Sequence, residues 1–121
     1  MVNITEKEWN VLEILWENGG MHLNDIVSAL RSETGWSTNT VHTYLKRMSD
    51  KGIVAIDKSL NPHVYSAHIS REECQADERK EFLNRVYRGS AGDLIAAFLK
   101  EESITGEERD RLRKLLDEME V

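Results

Sequence analysis

Apolar positions in the first 54 residues fall into three helix-period runs, each with its own start and stop signals. In the first run Trp9, Val11, Leu12, Leu15 and Trp16 recur at helical spacing. Thr5 followed by Glu8 forms a capping box, Ile4 and Trp9 stand as a hydrophobic staple, and Asn18, Gly19 and Gly20 supply the stop, so a helix is predicted over about residues 5–18. In the second, Leu23, Ile26, Val27 and Leu30 mark a short, half-buried helix that opens near His22 or Asn24. In the third, Ser37 caps a helix whose inward stripe is Val41, Tyr44, Leu45 and Met48 and whose stop is Gly52.

The period then shortens. IVAID and HVYSAHI read as β-type runs, and the junction Lys58, Ser59, Leu60, Asn61, Pro62 reads as a turn, which predicts a two-stranded hairpin. Beyond Ser70 the chain carries dense alternating charge with leucine spacing, the mark of exposed helices with narrow apolar seams. Three segments separate there. The first covers about residues 71–87, with Phe82, Leu83, Val86 and Tyr87, and ends at Gly89. The second covers about 91–102, with Leu94, Ile95, Phe98 and Leu99. The third opens at a Thr105 to Glu108 capping box and runs through Leu112, Leu115, Leu116 and Met119.

Three helices followed by a hairpin is the order of a winged helix-turn-helix. The expected fold is therefore mainly α with a small β-hairpin: a winged-helix head at residues 1–70 and a C-terminal helical dimerisation region at 71–121. A head of that size cannot cover three more seams, so a second copy is expected to cover Val86, Leu94, Ile95, Phe98, Leu99, Leu112, Leu115 and Leu116.

Subtracting the inward stripe of the third helix leaves Asn39, Thr40, His42, Thr43, Lys46 and Arg47 outside. This face is poor in charge and rich in short hydrogen-bonding side chains. Such side chains let a helix approach base edges in the major groove closely. Lys46, Arg47, Lys51 and Lys58 suit flanking phosphates, and the helix start at Ser37, Thr38 and Asn39 can offer backbone N–H groups to another. A polar face of this kind also serves as plain solvated surface, and winged helices act as protein-interaction modules as well, so an adaptor without DNA binding is the rival reading.

Charge at first argues against DNA. The 121 residues carry a formal net charge of -6, and phosphate contacts depend on Lys and Arg. The distribution changes the picture: residues 1–70 hold 6 Lys and Arg against 8 Asp and Glu, and residues 71–121 hold 10 against 14, so most of the acidity lies in the tail. The stretch from Val41 to Lys58 has a local surplus of cations, which can still meet DNA.

Composition excludes other classes. With 40% hydrophobic and 31% charged residues the chain is expected to fold rather than be disordered, and no apolar run approaches the roughly 20 residues a membrane span needs. The N-terminus MVNITEKEWN has neither a basic n-region nor an apolar h-region, so a cytoplasmic protein is expected. The single cysteine, Cys74, cannot form an internal disulfide. His63, His68 and Cys74 match no metal-ligand spacing, and Glu72 with Glu73 or Glu101 with Glu102 point to different helix faces rather than forming an acid/base pair. No glycine-rich phosphate loop or nucleophile elbow is present. No enzyme, metal or cofactor is expected.

The stretches ITEKEWNVLEILWENG, GWSTNTVHTYLKRMSDKGIV, FLNRVYRGSAGDLIAAFLKEE and ERDRLRKLL resemble the penicillinase repressor family, regulators of β-lactamase and methicillin-resistance operons. The most specific elements are the W-S-x-x-T-V-x-T-x-L-x-R pattern at Trp36 to Arg47 and its occurrence together with the tail. The resemblance implies a homodimeric repressor that reads inverted-repeat operators built on TACA and TGTA. Base reading then falls to Asn39, Thr40, His42 and Thr43, with Ser37 and Lys46 nearer the backbone. The family wing carries more cations than KSLNPH, which offers only Lys58 and His63. Members that respond to β-lactams are released by a sensor protease cutting an Asn-Phe bond. The matching bond here is Ala97 to Phe98, without the asparagine, and the simpler reading of Phe98 is a core residue. Copper-responsive relatives carry clustered cysteines near the C-terminus, and LDEMEV has none.

Overall fold

A computed structural model describes residues 3–101 and 104–119. Glu102, at the expected end of the fifth helix and in the Glu101–Glu102 pair, lies outside the described residues. Among those residues the chain forms helices α1 (Glu6–Asn18), α2 (Leu23–Thr34) and α3 (Thr38–Asp50), strands β1 (Val54–Asp57) and β2 (Val64–Ala67), and helices α4 (Arg71–Tyr87), α5 (Ala91–Lys100) and α6 (Gly106–Glu118). This is the mainly α fold with one hairpin that the sequence predicts. Two compact units divide it, Met1–Asp77 and Glu78–Val121.

In the first unit α1, α2 and α3 close around one apolar core made of Val11, Leu12, Leu15, Ile26, Val27, Leu30, Val41, Leu45 and Met48, completed by Ile53, Val54, Tyr65 and Cys74. The hairpin is antiparallel, with Val54 opposite Ala67 and Ile56 opposite Tyr65. Met21 extends it by a bridge to Tyr65, exchanging backbone hydrogen bonds of 2.8 and 2.9 Å. That close approach explains Gly20: a Cβ there would stand 2.8 Å from Cγ1 of Val64, inside contact distance. Gly19, at φ 71, ends α1. The pair the sequence offers as one stop signal therefore does two jobs.

The start of α4 belongs to the first unit. Cys74 is buried in its core, Trp16 Nε1 donates to the Ile69 carbonyl at 2.8 Å, and Arg71 pairs with Glu13 at 2.8 Å while its guanidinium lies over the Trp16 ring. The division between the units thus falls inside α4, a turn or two beyond Ser70.

One polar contact is buried in this unit. Glu8, 1% exposed, closes the α1 capping box by accepting from the Thr5 N–H at 3.0 Å, and the same Oε1 accepts from Lys51 Nζ at 2.6 Å. Lys51 is the C-cap of α3 and also donates to the Asn3 carbonyl. The start of α1 and the end of α3 are fastened by one ion pair, which both helix dipoles favour. Lys51, expected from the sequence to face a phosphate, is committed here instead: its ammonium pairs with Oε1 of a carboxylate that burial would otherwise leave without a counter-charge, while Oε2 has no hydrogen-bond partner among the described residues.

Burial pushes the Glu8 carboxyl up, but the Lys51 hydrogen bond, the Thr5 backbone N–H and the Lys51 charge outweigh it, and the net displacement is below the ordinary 4.5. A carboxylate whose folded value is depressed stabilises the fold above its unfolded value and loses that contribution as pH falls through the folded one. Denaturant titrations should accordingly show stability falling as pH drops below about 4.5, with a shallower fall in Glu8→Gln. Lys51→Ala, which strands the buried carboxylate, should cost on the order of 2 to 4 kcal/mol at neutral pH, somewhat less than a fully enclosed pair because Lys51 is partly exposed; an unchanged denaturation midpoint would refute the role given to this pair.

In the second unit no side chain of α5 or α6 is buried. Both helices are locally well specified: Ser90 caps α5, and Thr105 with Glu108 forms the expected capping box of α6. Yet Val86, Ile95, Phe98, Leu99, Leu115, Leu116 and Met119 all stand exposed. Phe98, 49% exposed, is not a core residue of the single chain. It is exposed together with its α5 neighbours Ile95 and Leu99.

Candidate nucleic-acid interface

The outward face of α3 is set by how the helix is held. Val41, Leu45 and Met48 are completely buried, a stripe at i, i+4 and i+7 that fixes the helix in rotation. The opposite face follows by geometry, and Thr38, Asn39, His42, Thr43, Lys46 and Arg47 are exposed on it, with Thr40 half-buried at its edge.

The helix start is built by local hydrogen bonds. Gly35, at φ 65, ends α2 in the left-handed region, and the Thr34 hydroxyl accepts from the Trp36 N–H, which sets the short turn into α3. Ser37 Oγ then accepts from the Thr40 N–H at 3.2 Å and lies 3.1 Å from Thr40 Oγ1. Ser37 is the N-cap of α3, as the sequence predicts. The N–H groups of Thr38 and Asn39 have no acceptor within the helix and point along its axis, the arrangement that receives a phosphate.

Tyr44 packs against the core beside the inward stripe but is only half-buried, its ring stacked on Trp36 with centroids 4.6 Å apart and planes 4° from parallel. Arg47 lies over the same ring at 5.4 Å. Tyr44 therefore forms one side of a shallow concavity on the reading face, shared with Asn39, Thr40 and Thr43. The missed signal was Trp36, an aromatic just before the cap that offers a flat partner to the next aromatic on the helix.

The hairpin turn carries the two remaining assigned residues. Lys58 and His63 are both exposed, and the His63 carbonyl accepts from His22 Nδ1 at 3.1 Å, which ties the wing to the start of α2. Between the strands Asp57 accepts from both the hydroxyl and the N–H of Ser59, and these bonds hold its carboxyl below the ordinary range. The wing tip thus keeps one carboxylate ionised beside its two basic residues. Among the described residues, no group of three His, Cys, Asp or Glu side chains is arranged to hold a metal ion. No helix among them is long and apolar enough to cross a membrane.

This head, with three helices, a hairpin wing and a capped, outward-facing third helix, defines a winged helix-turn-helix protein. The Penicillinase repressor family model matches residues 4–118. The chain belongs to that family, one of transcriptional repressors and not of enzymes. It is 30% identical over 118 residues to a penicillinase repressor of Staphylococcus aureus, covering 98% of this chain and 94% of that one. It is 28% identical to a penicillinase repressor of Bacillus licheniformis, covering 95% and 90%, and 26% identical to the methicillin resistance regulatory protein MecI of Mammaliicoccus sciuri, covering 94% and 93%. Among solved structures, the solution structure of the Bacillus licheniformis BlaI monomeric form in complex with the blaP half-operator overlaps with a TM-score of 0.52 at 26% identity, over 58% of this chain and 85% of that one.

Because the Ser37 hydroxyl satisfies the Thr40 N–H, Ser37→Ala should destabilise the head by about 1 kcal/mol, read as a lower denaturation midpoint in the absence of DNA. A purely DNA-facing serine would leave that midpoint unchanged.

Proposed function

We propose that this chain is a cytoplasmic, homodimeric transcriptional repressor whose α3 helices enter the major groove at two half-sites of an inverted-repeat operator of the TACA/TGTA kind. The observation that carries this reading is the outward face of α3: short polar side chains at Asn39, Thr40, His42 and Thr43, held clear of the core by a fully buried stripe. Long charged side chains on that face would keep the backbone away from base edges; these do not. Lys46 and Arg47 flank it and suit phosphates, while Lys58 and His63 give the wing a modest part. The BlaI complex with a half-operator supports the same use of the fold.

The second unit supplies the pairing. Its described helices bury no side chain and leave an apolar surface that includes Ile95, Leu99, Leu115 and Leu116. Covering that surface with the same surface of another copy gives a two-fold dimer, whose symmetry matches an inverted repeat. Ala97 and Phe98, where a sensor protease would cut, lie inside α5. Proteases take their substrates extended, so cleavage there requires local unwinding, and it would divide the dimer face and release the two half-sites from each other.

Titration against TACA/TGTA and random duplexes at several salt concentrations tests the reading. Preference for the repeat, with a salt slope of several phosphates, is expected; absence of binding even at low salt would favour the adaptor. His42→Ala or Thr43→Ala should cost on the order of 1 to 3 kcal/mol at particular base pairs, and Lys46→Ala should weaken all duplexes alike. Leu116→Asp should yield single chains in ultracentrifugation and lose most operator affinity; a variant that still sediments as a dimer would refute the assigned interface.

A further inference from the structure

Four side chains on the reading face make a unit of their own. Asn39, Thr40, Thr43 and Tyr44 line one shallow concavity of about 220 Å³. The two threonines meet it with their hydroxyls already engaged: Thr43 Oγ1 donates to the Asn39 carbonyl at 2.9 Å, and Thr40 Oγ1 lies 3.1 Å from Ser37 Oγ. Thr43, whose hydroxyl hydrogen is spent on its own helix, has chiefly a methyl group to offer, and the Thr40 hydroxyl is paired with that of Ser37. Tyr44 contributes a ring that cannot swing freely, since it is stacked on Trp36, itself packed against the core. The walls of the concavity are therefore two methyl-bearing side chains and the flank of an immobilised ring, with a single amide, that of Asn39, at hand.

In the major groove one feature is apolar, the C5-methyl of thymine, and an Asn amide is suited to the N6 and N7 edge of adenine. We infer that the concavity of Asn39, Thr40, Thr43 and Tyr44 seats a thymine methyl group, with the Asn39 amide reading a neighbouring base, so that this cluster and not the helix face at large sets the preferred base at that position. The inference rests on the proposed operator reading and deepens it. Tyr44 acts here as a positioning residue, the backstop against which the methyl packs, while Thr43 makes the contact.

The test removes the methyl from either side. Duplexes carrying the TACA/TGTA repeat, with each thymine in turn replaced by uracil, are titrated with the full-length wild-type chain and with Thr43→Ser, which keeps the hydroxyl bond to Asn39 and loses only the methyl. For the wild type, one such position, replaced in both half-sites together, should weaken dimer binding about fifteenfold, the value of two buried methyl-sized groups. Thr43→Ser should bind the thymine duplex about as weakly as the wild type binds the uracil one and should show little further loss with uracil. Tyr44→Phe, which keeps the ring, should discriminate like the wild type, whereas Tyr44→Leu should discriminate less. Retained preference for the repeat with no effect of any uracil, or with an equal effect in Thr43→Ser, would overturn this inference alone. No preference for the repeat over random DNA would overturn the operator reading together with it.

Discussion

Everything on the reading face depends on the burial of Val41, Leu45 and Met48. Each is fully enclosed, and burying side chains of this size contributes roughly 1.5 to 3 kcal/mol apiece. Rotating α3 by even one position would expose part of that stripe, at a cost larger than any surface hydrogen bond could return. The orientation of Asn39, His42 and Thr43 is thus decided by residues that never meet a ligand. A reader built in this way can change its outward side chains without disturbing its core, because the two faces share only the backbone.

Several polar groups near this face serve the fold first. The Ser37 hydroxyl closes the first turn of α3, the Thr43 hydroxyl returns to the Asn39 carbonyl, and Lys51 closes the last turn of α3 against the capping box of α1. In the operator reading, what remains for recognition is narrower than the composition suggests: amide and imidazole groups, methyl groups, and the cations at Lys46 and Arg47. Arg47 is itself associated with the Tyr44 ring. Narrowing the set in this way favours recognition by shape and a few base edges over general attraction to phosphate, in keeping with a chain of net charge -6.

The two units embody different kinds of stability. The first owns a core; the second has well-capped helices with nothing fully buried among its described residues. Helices of 10 to 13 residues are marginal in water without tertiary contacts. In the dimeric reading, order in that unit is coupled to association, so the concentration of the protein enters its stability directly. The Ala97–Phe98 bond sits within this least supported part of the chain.

The sequence by itself determined the order, type and approximate limits of the elements. Capping boxes at Thr5 and Thr105, the Ser37 cap, the stops at Gly19, Gly52 and Gly89 and the change of period at Ile53 all act over a few residues and can be read without knowing the fold. It also determined which face of α3 carries the short polar groups. Only the tertiary structure decided what those elements lean on. Lys51 finds Glu8 across 43 residues and Trp16 finds Ile69 across 53; Gly20 is needed because Val64 arrives beside it, and Tyr44, at the edge of the core, stacks on Trp36. The start of α4 joins the head because Cys74 has a place in its core. Spacing along a chain encodes neighbours one or two turns away, whereas these partners are chosen by packing, where each side chain settles against whatever the folded backbone brings within reach.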